Sequence, residues 1–244
     1  TALREVLEAS VHAPHIVAIS PHKEGPVHAV IAAQELIDPA LPTIINYCDF
    51  SFAWDVNHFR RWALELDVDG AVVCYRGFHP HHQGDARYAY CRTDHFGRVL
   101  EVQEKEAFTD TPTDEWASTG SYYFRTGGLA LARCREHVAQ GRRVNGEHYA
   151  SLVMDDMARR GERVQVYEID TFCQWGTPQD LEDWQYWSRA FEALDRQRRR
   201  EIRLSEVHTS PRQVLMPMGG KGVRLRDLGD VKPLIPLHGA PLFQ

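Results

Sequence analysis

Residues 214–243 read VLMPMGGKGVRLRDLGDVKPLIPLHGAPLF, and their reading decides the fold. Val214, Leu215 and Met216 form a short apolar run that stops at Pro217. Gly219, Gly220, Lys221, Gly222, Val223 and Arg224 follow, with three glycines and two cations in six residues. An apolar run that feeds a glycine-rich turn is how an α/β sheet presents backbone N–H groups to a phosphate. Glycine lets the backbone approach the ligand because no Cβ intervenes. Arg224 can fork onto phosphate oxygens, and Lys232 can add a point charge. The spacing is neither GxGxxG nor GxxxxGK[ST], so the glycines alone also fit a simple turn.

The bulk composition narrows the field. A chain of 244 residues suffices for one large α/β domain or two small ones. A net charge of -6 argues against nucleic acid as the main partner. The arginines at 196, 198, 199, 200 and 203 form a local basic run that reads as a solvated helix face. Five scattered cysteines, none in a CxxC pair, suggest neither a zinc site nor a disulfide framework, and reduced thiols point to the cytoplasm. No apolar run approaches membrane-spanning length, so no membrane insertion is expected.

Along the chain, residues 16–19 (IVAI) read as a strand, followed by a turn around Gly25 and a helix over 27–36. Residues 43–45 read as a buried strand, with Asp49 just beyond it. A carboxylate at the carboxyl end of a core strand suits Mg²⁺, and it equally suits a strand-end cap. Asp55 reads as the start of a helix over 56–64. Residues 69–75 are a second buried strand. His79, His81 and His82 lack the helical spacing of a zinc enzyme. A hairpin is expected around Asp94 to Gly97, and Glu104-Lys105 follows it. By composition Glu104 and Lys105 read as an exposed ion pair. Helices are expected over 129–140, stopped by Gly141, and over 150–159, with Glu147 ahead of the second. A strand over 164–169 precedes Gly176-Thr177-Pro178, where Thr177 can cap a helix that opens on Pro178. That helix carries Trp184, Trp187 and Phe191 at helical spacing, which reads as a core stripe.

GGxGxRL with KPLIPLxGxPL resembles the signature of the sugar nucleotidyltransferases, the family of glucose-1-phosphate thymidylyltransferase. The chain resembles that family also in Asp49 after a core strand, Glu104-Lys105 after a hairpin, Gly120 in an aromatic segment, Glu147, and GTPQDL at 176–181. The segment around GFHPH (77–81) is similar to the capsule- and lipopolysaccharide-type branch. The resemblance implies a three-layer, mostly parallel Rossmann-like α/β sheet with a small β-rich lobe. It implies that Arg224, Lys232 and Lys105 act on phosphates and that Asp49 holds Mg²⁺. Gly219, Gly220, Lys221, Gly222 and Gly25 would border the nucleotide, and Glu104, Gly120 and Glu147 the sugar. Where many members carry a second metal-binding Asp, this sequence has Gln174, with Asp170 as a nearby alternative.

The family's opening segment here closes the chain. Residues 1–190 then read as a nucleotidyltransferase domain without its opening segment, 191–212 as a helical polar linker, and 213–244 as that segment, permuted, swapped or starting a second copy. A helix and a strand, on the order of 25–30 residues, would be missing between the two pieces. The expected partners are a nucleoside triphosphate and a sugar 1-phosphate, giving a nucleotide sugar and pyrophosphate. A homo-oligomer or domain swap is compatible with this order. The competing readings are a metal-dependent glycosyltransferase of related fold and a non-catalytic nucleotide-binding domain.

Overall fold

The structure, a computed structural model, describes residues 2–9, 14–77, 79, 88–204, 236–237 and 240–241. In chain order the elements are α1 (Ala2–Glu8), α2 (Pro26–Ala32), β1 (Thr43–Asn46), β2 (Phe50–Ala53), α3 (Val56–Glu65), β3 (Gly70–Tyr75), β4 (Ala89–Thr93) and β5 (Val99–Glu104). Then come β6 (Trp116–Phe124), α4 (Gly127–Gln140), α5 (Ala150–Arg159), β7 (Val164–Glu168), β8 (Thr171–Gln174), α6 (Pro178–Leu204), β9 (Pro236–Leu237) and β10 (Ala240–Pro241). The chain divides into two units, Thr1–Ala190 and Phe191–Gln244. In the second unit two arginines of α6 pair along their own helix, Arg196 with Glu192 and Arg199 with Asp195, and β9 pairs antiparallel with β10.

The first unit is built on one six-stranded sheet. Its order is β5-β4-β6-β3-β7, with β1 paired to β6 as well. β6 is the axis. One of its edges carries β3 along its length, and the other is shared by β1 at residues 121–124 and β4 at residues 116–117. All six residues of β3 (GAVVCY) are buried, because both faces of the sheet are covered. Val72 and Cys74 face Met154, Met157 and Val166 under α4 and α5. Ala71, Val73 and Tyr75 face Phe59 of α3, Tyr167 and Phe172. This gives three layers of α/β type, as the sequence implies.

Two expectations about the sheet fail. A parallel majority is not present among the described residues: only β3 and β7 run parallel, and the β1–β6, β3–β6, β4–β5 and β4–β6 pairs are antiparallel. Hairpins and reversals, rather than helical crossovers, supply most of the neighbours. Residues 16–19 form no strand, since a strand needs a ladder partner and none of the described residues provides one.

Local chemistry sets the element ends. Asp55 caps α3 by accepting from the N–H groups of Asn57 and His58 at 2.9 Å each. Thr126 caps α4 through the Leu129 N–H, and Gly141 stops it in the left-handed region at φ 73°. Thr177 and Asp180 cap each other at the start of α6. Asp94 accepts from Phe96 and Arg98 N–H groups and closes the β4–β5 hairpin. The stripe on α6 is not core: Trp184, Trp187 and Phe191 are 40%, 47% and 62% exposed.

Behind the sheet, α5 is tied down by charge. Buried Asp155 accepts from the Val102 N–H, Arg142 and Arg159. Asp156 takes His137 at 2.6 Å and Arg142 at 3.0 Å, and the His137 ring meets His148 edge-on. Burial, with Arg143 and His137 close by, holds His148 below the ordinary imidazole range. A depressed folded pKa means that the unfolded chain binds the proton first. His148 therefore supports stability above about pH 6.5 and withdraws that support as the pH falls through its folded value. Melting followed from pH 7.5 to 5 will show a falling Tm, and the part of that fall near pH 6 will be absent from His148→Met.

Candidate functional site

β1 delivers the chain to the site. Just past it Tyr47 N–H donates to the Gly120 carbonyl at 3.2 Å, and Asp49 follows, exposed. The chain then enters β2, which pairs antiparallel with β8 so that Phe50 lies opposite Gln174. Trp175 N–H closes the end of this ribbon on the Asp49 carbonyl at 2.7 Å. Asp49 thus sits beside Gln174 and Gly176. A Cβ at Gly176 would lie 2.5 Å from Gln174 Nε2 and 3.0 Å from Asp49 Oδ2. Asp170 does not share this place. It precedes Thr171, which pairs with Ala53 at the far end of the ribbon, about 13 Å away at the usual rise per residue.

A second group forms where β5 ends. Glu104 is the last residue of the strand, and Lys105 turns the chain at φ 61°. Lys105 Nζ donates to the Tyr149 hydroxyl at 2.6 Å and lies 4.6 Å from the centre of that ring. Glu104 accepts from the Ser151 hydroxyl. Burial pushes the Glu104 carboxyl up, while the Ser151 bond and Lys105 pull it down. For Lys105 burial opposes the charge, but the Tyr149 hydroxyl and the Glu104 and Glu147 carboxylates outweigh it and raise its pKa. Composition read Glu104 and Lys105 as an exposed pair; they are instead part-buried, each with its own partner on α5.

The two groups meet at Tyr47. Its hydroxyl accepts from the Ala150 N–H at 3.2 Å. Burial raises its pKa most, the Ala150 bond lowers it, and the negative fields of Glu104 and Asp49 raise it further. Charges from both groups therefore fall on one phenol. Of the residues singled out in the sequence, Asp49, Glu104, Lys105, Gly120 and Glu147 converge here. Tyr47, Tyr149 and Ser151 escaped notice, although each lies within four residues of Asp49 or Glu147. Tyrosines there read as core aromatics until their hydroxyl partners are seen.

Two glycines have intramolecular work. Gly120 has φ 94°, and a Cβ on it would lie 2.9 Å from the Phe50 ring and 3.1 Å from the Tyr47 ring. The space of its missing side chain is filled by aromatic rings. Gly25 has φ 86°, and its Cβ would lie 2.7 Å from the backbone N and O of His148. It sits between hydrogen bonds that clamp the loop to that backbone, His148 N–H to the Glu24 carbonyl at 2.9 Å and Val27 N–H to the His148 carbonyl at 3.2 Å. Gly219, Gly220, Lys221, Gly222, Arg224 and Lys232 lie outside the described residues, as do His81 and His82.

For a metal, the described residues offer no group of three or more His, Cys, Asp or Glu side chains. Asp49 beside an amide is one carboxylate. That donor set fits Mg²⁺, which is commonly held by one or two carboxylates with substrate phosphates and water completing the shell. It does not fit a stand-alone, all-protein cage. No described helix is long and apolar enough to cross a membrane.

No protein-family model matches the chain, and no curated protein matches it. Solved structures do. A nucleoside-diphosphate-sugar pyrophosphorylase from Vibrio cholerae RC9 aligns with a TM-score of 0.52 at 19% identity, covering 68% of this chain and 66% of that one. A protein described as a glucose-1-phosphate thymidylyltransferase from Bacillus anthracis, solved in complex with a sucrose, aligns with a TM-score of 0.57 at 13% identity, covering 75% of this chain and 69% of that one. At these identities the likeness is one of fold: the chain has the α/β fold of these sugar nucleotidyltransferases and spans about two thirds of each.

Gly120→Ala will combine left-handed strain with a clash against two rings, a cost of about 2–4 kcal/mol. Calorimetry should record a Tm lower by about 5–10 °C. An unchanged Tm would mean that Tyr47 and Phe50 have room to spare.

Proposed function

We propose that the chain is a nucleotidyltransferase that joins a nucleoside triphosphate to a sugar 1-phosphate and releases pyrophosphate. The observation that carries this reading is one chain of contacts: Lys105 on the Tyr149 hydroxyl, the N–H of the next residue, Ala150, on the Tyr47 hydroxyl, and Asp49 two residues beyond Tyr47. It links one exposed carboxylate suited to a nucleotide-borne Mg²⁺ to one held ammonium. Phosphate groups need that pairing of charges. The fold shared with the two solved structures supports it, and so does the glycine- and cation-rich stretch at 219–232.

In this reading a phosphate oxygen of the sugar 1-phosphate attacks the α-phosphorus of the triphosphate in line. The new P–O bond forms as the bond to the bridging oxygen breaks, and the electron pair leaves with pyrophosphate. No general base is needed, because the attacking phosphate is already anionic. Lys105 offsets the charge that shifts between phosphates. The family resemblance gives Arg224 and Lys232 a like role and the backbone of Gly219, Gly220, Lys221 and Gly222 a role in holding the triphosphate. Glu104 and Glu147 accept from sugar hydroxyls, and Gly120 contributes by letting Tyr47 and Phe50 pack. Asp49 would hold Mg²⁺, which when bound polarises phosphate oxygens. The capsule-type assignment and a cytoplasmic site of action rest on the sequence alone.

A second reading, a nucleotide-binding domain without turnover, is favoured by Gln174 standing beside Asp49 where a second carboxylate would strengthen the metal site. One assay separates the two: pyrophosphate release in Mg²⁺ from each common nucleoside triphosphate with a mixture of sugar 1-phosphates. Release with one nucleotide is expected. Asp49→Asn will cut it at least about 100-fold while the Tm stays put, the scale of losing one electrostatic stabiliser. Full turnover in that variant would remove Asp49 from the metal role, and binding without release in the parent would leave the second reading standing.

A further inference from the structure

The first turn of α5 meets the site three times in three residues. Tyr149 takes Lys105, the Ala150 N–H takes Tyr47, and Ser151 takes Glu104. We propose that Tyr149 is the positioning residue for Lys105, holding its ammonium in one place through the hydroxyl while leaving its charge free for a phosphate. This rests on the nucleotidyltransferase reading for its purpose, though not for its geometry.

The need for such a device is physical. A lysine has four rotatable bonds and about 2 kcal/mol of rotamer freedom to lose, so a charge at its end is poorly aimed unless something holds it. A carboxylate would hold it and also neutralise it. A neutral phenol holds it through one accepted hydrogen bond and subtracts nothing from the charge. Tyr149 stays neutral because burial pushes its hydroxyl up; the Lys105 bond works the other way, and Glu147 adds to the rise. The holder is itself held. Tyr149 is 8% exposed and is the cap residue of α5. The helix behind it is pinned by Asp155 on the Val102 N–H and by Asp156 on His137. On the other side, the backbone of Lys105 is fixed by its own N–H on the Tyr88 carbonyl at 2.9 Å. Both ends of the contact are therefore anchored to the sheet and its covering helices, and the side chains meet without a free hinge.

Lys105 is one of four lysines in the chain, with Lys23, Lys221 and Lys232, so its reactivity can be followed peptide by peptide. The experiment compares the parent protein with Tyr149→Phe, which keeps the ring and removes the hydroxyl. Acetic anhydride labelling across pH 8 to 11, read by mass spectrometry, needs no substrate. In the parent, Lys105 will label more slowly than exposed Lys23 at each pH. In Tyr149→Phe it will label about 3- to 10-fold faster, while Lys23 is unchanged. In the pyrophosphate-release assay kcat will fall about 10-fold with the nucleotide KM within about twofold, the split expected when a charge is still present but no longer aimed. Equal labelling of Lys105 and Lys23 in the parent overturns the proposal whether or not the variant folds, and so does an unchanged Lys105 rate in a folded variant. If the parent releases no pyrophosphate, the function fails and the labelling still decides the positioning.

Discussion

The site depends on a side chain that is not there. Gly120 lies in the middle of β6, the strand on which the sheet is assembled, and takes a left-handed turn that costs glycine least. Because it has no Cβ, the rings of Tyr47 and Phe50 lie against β6. Tyr47 then reaches across to the N-terminus of α5, and Phe50 starts the ribbon that sets Asp49 beside Gln174. Both halves of the site are thus placed by the packing at one backbone position. A Cβ there would have to move one ring or the other, and each ring carries part of the site with it.

The second constraint is electrostatic and lies behind the first. α5 stands at the back of the sheet, where a buried carboxylate is costly unless fully paired. Asp155 has a backbone N–H and two guanidinium groups, and Asp156 has a histidine and one of the same guanidiniums. That network fixes the height and rotation of the helix. Its first turn can then offer a phenol, an amide and a hydroxyl to three different site residues. The labour is divided: buried carboxylates paired with half-exposed arginines hold the helix, and neutral groups do the positioning at the site, where a charge should stay available.

Much of this was legible in the chain. Helix limits followed from caps whose chemistry is local, such as Asp55, Gly141 and Thr177. The buried run at β3 marked a strand covered on both faces. Asp49 stood out because a carboxylate at the carboxyl end of a core strand suits Mg²⁺ and because the family resemblance puts a metal-holding Asp there. Tyr149 and Ser151 did not stand out, because a tyrosine or serine at a helix start has several ordinary uses. Gly25 and Gly120 read as ligand-side glycines, and the fold shows protein in the Cβ direction of each, the His148 backbone at Gly25 and the Tyr47 and Phe50 rings at Gly120. A sequence shows that a Cβ is absent but not what fills the gap. The aromatic stripe of α6 misled for a related reason: helical spacing puts aromatics on one face without saying that anything covers it.

The sequence by itself determined the α/β class, the order of most elements and the positions where charge is concentrated. These follow from periodicity, from caps acting over three or four residues, and from residue type. Only the tertiary structure decided strand direction and partnership. It decided that Asp49 answers to Gln174 and not to Asp170, that Lys105 hydrogen-bonds Tyr149 rather than standing with Glu104 as an exposed pair, and that Tyr47 joins them. The physical reason is range: a cap or an apolar period is written within one turn or one strand. A contact between residues 105 and 149, or between 47 and 150, exists only after the sheet has paired and the helix has been pinned against it.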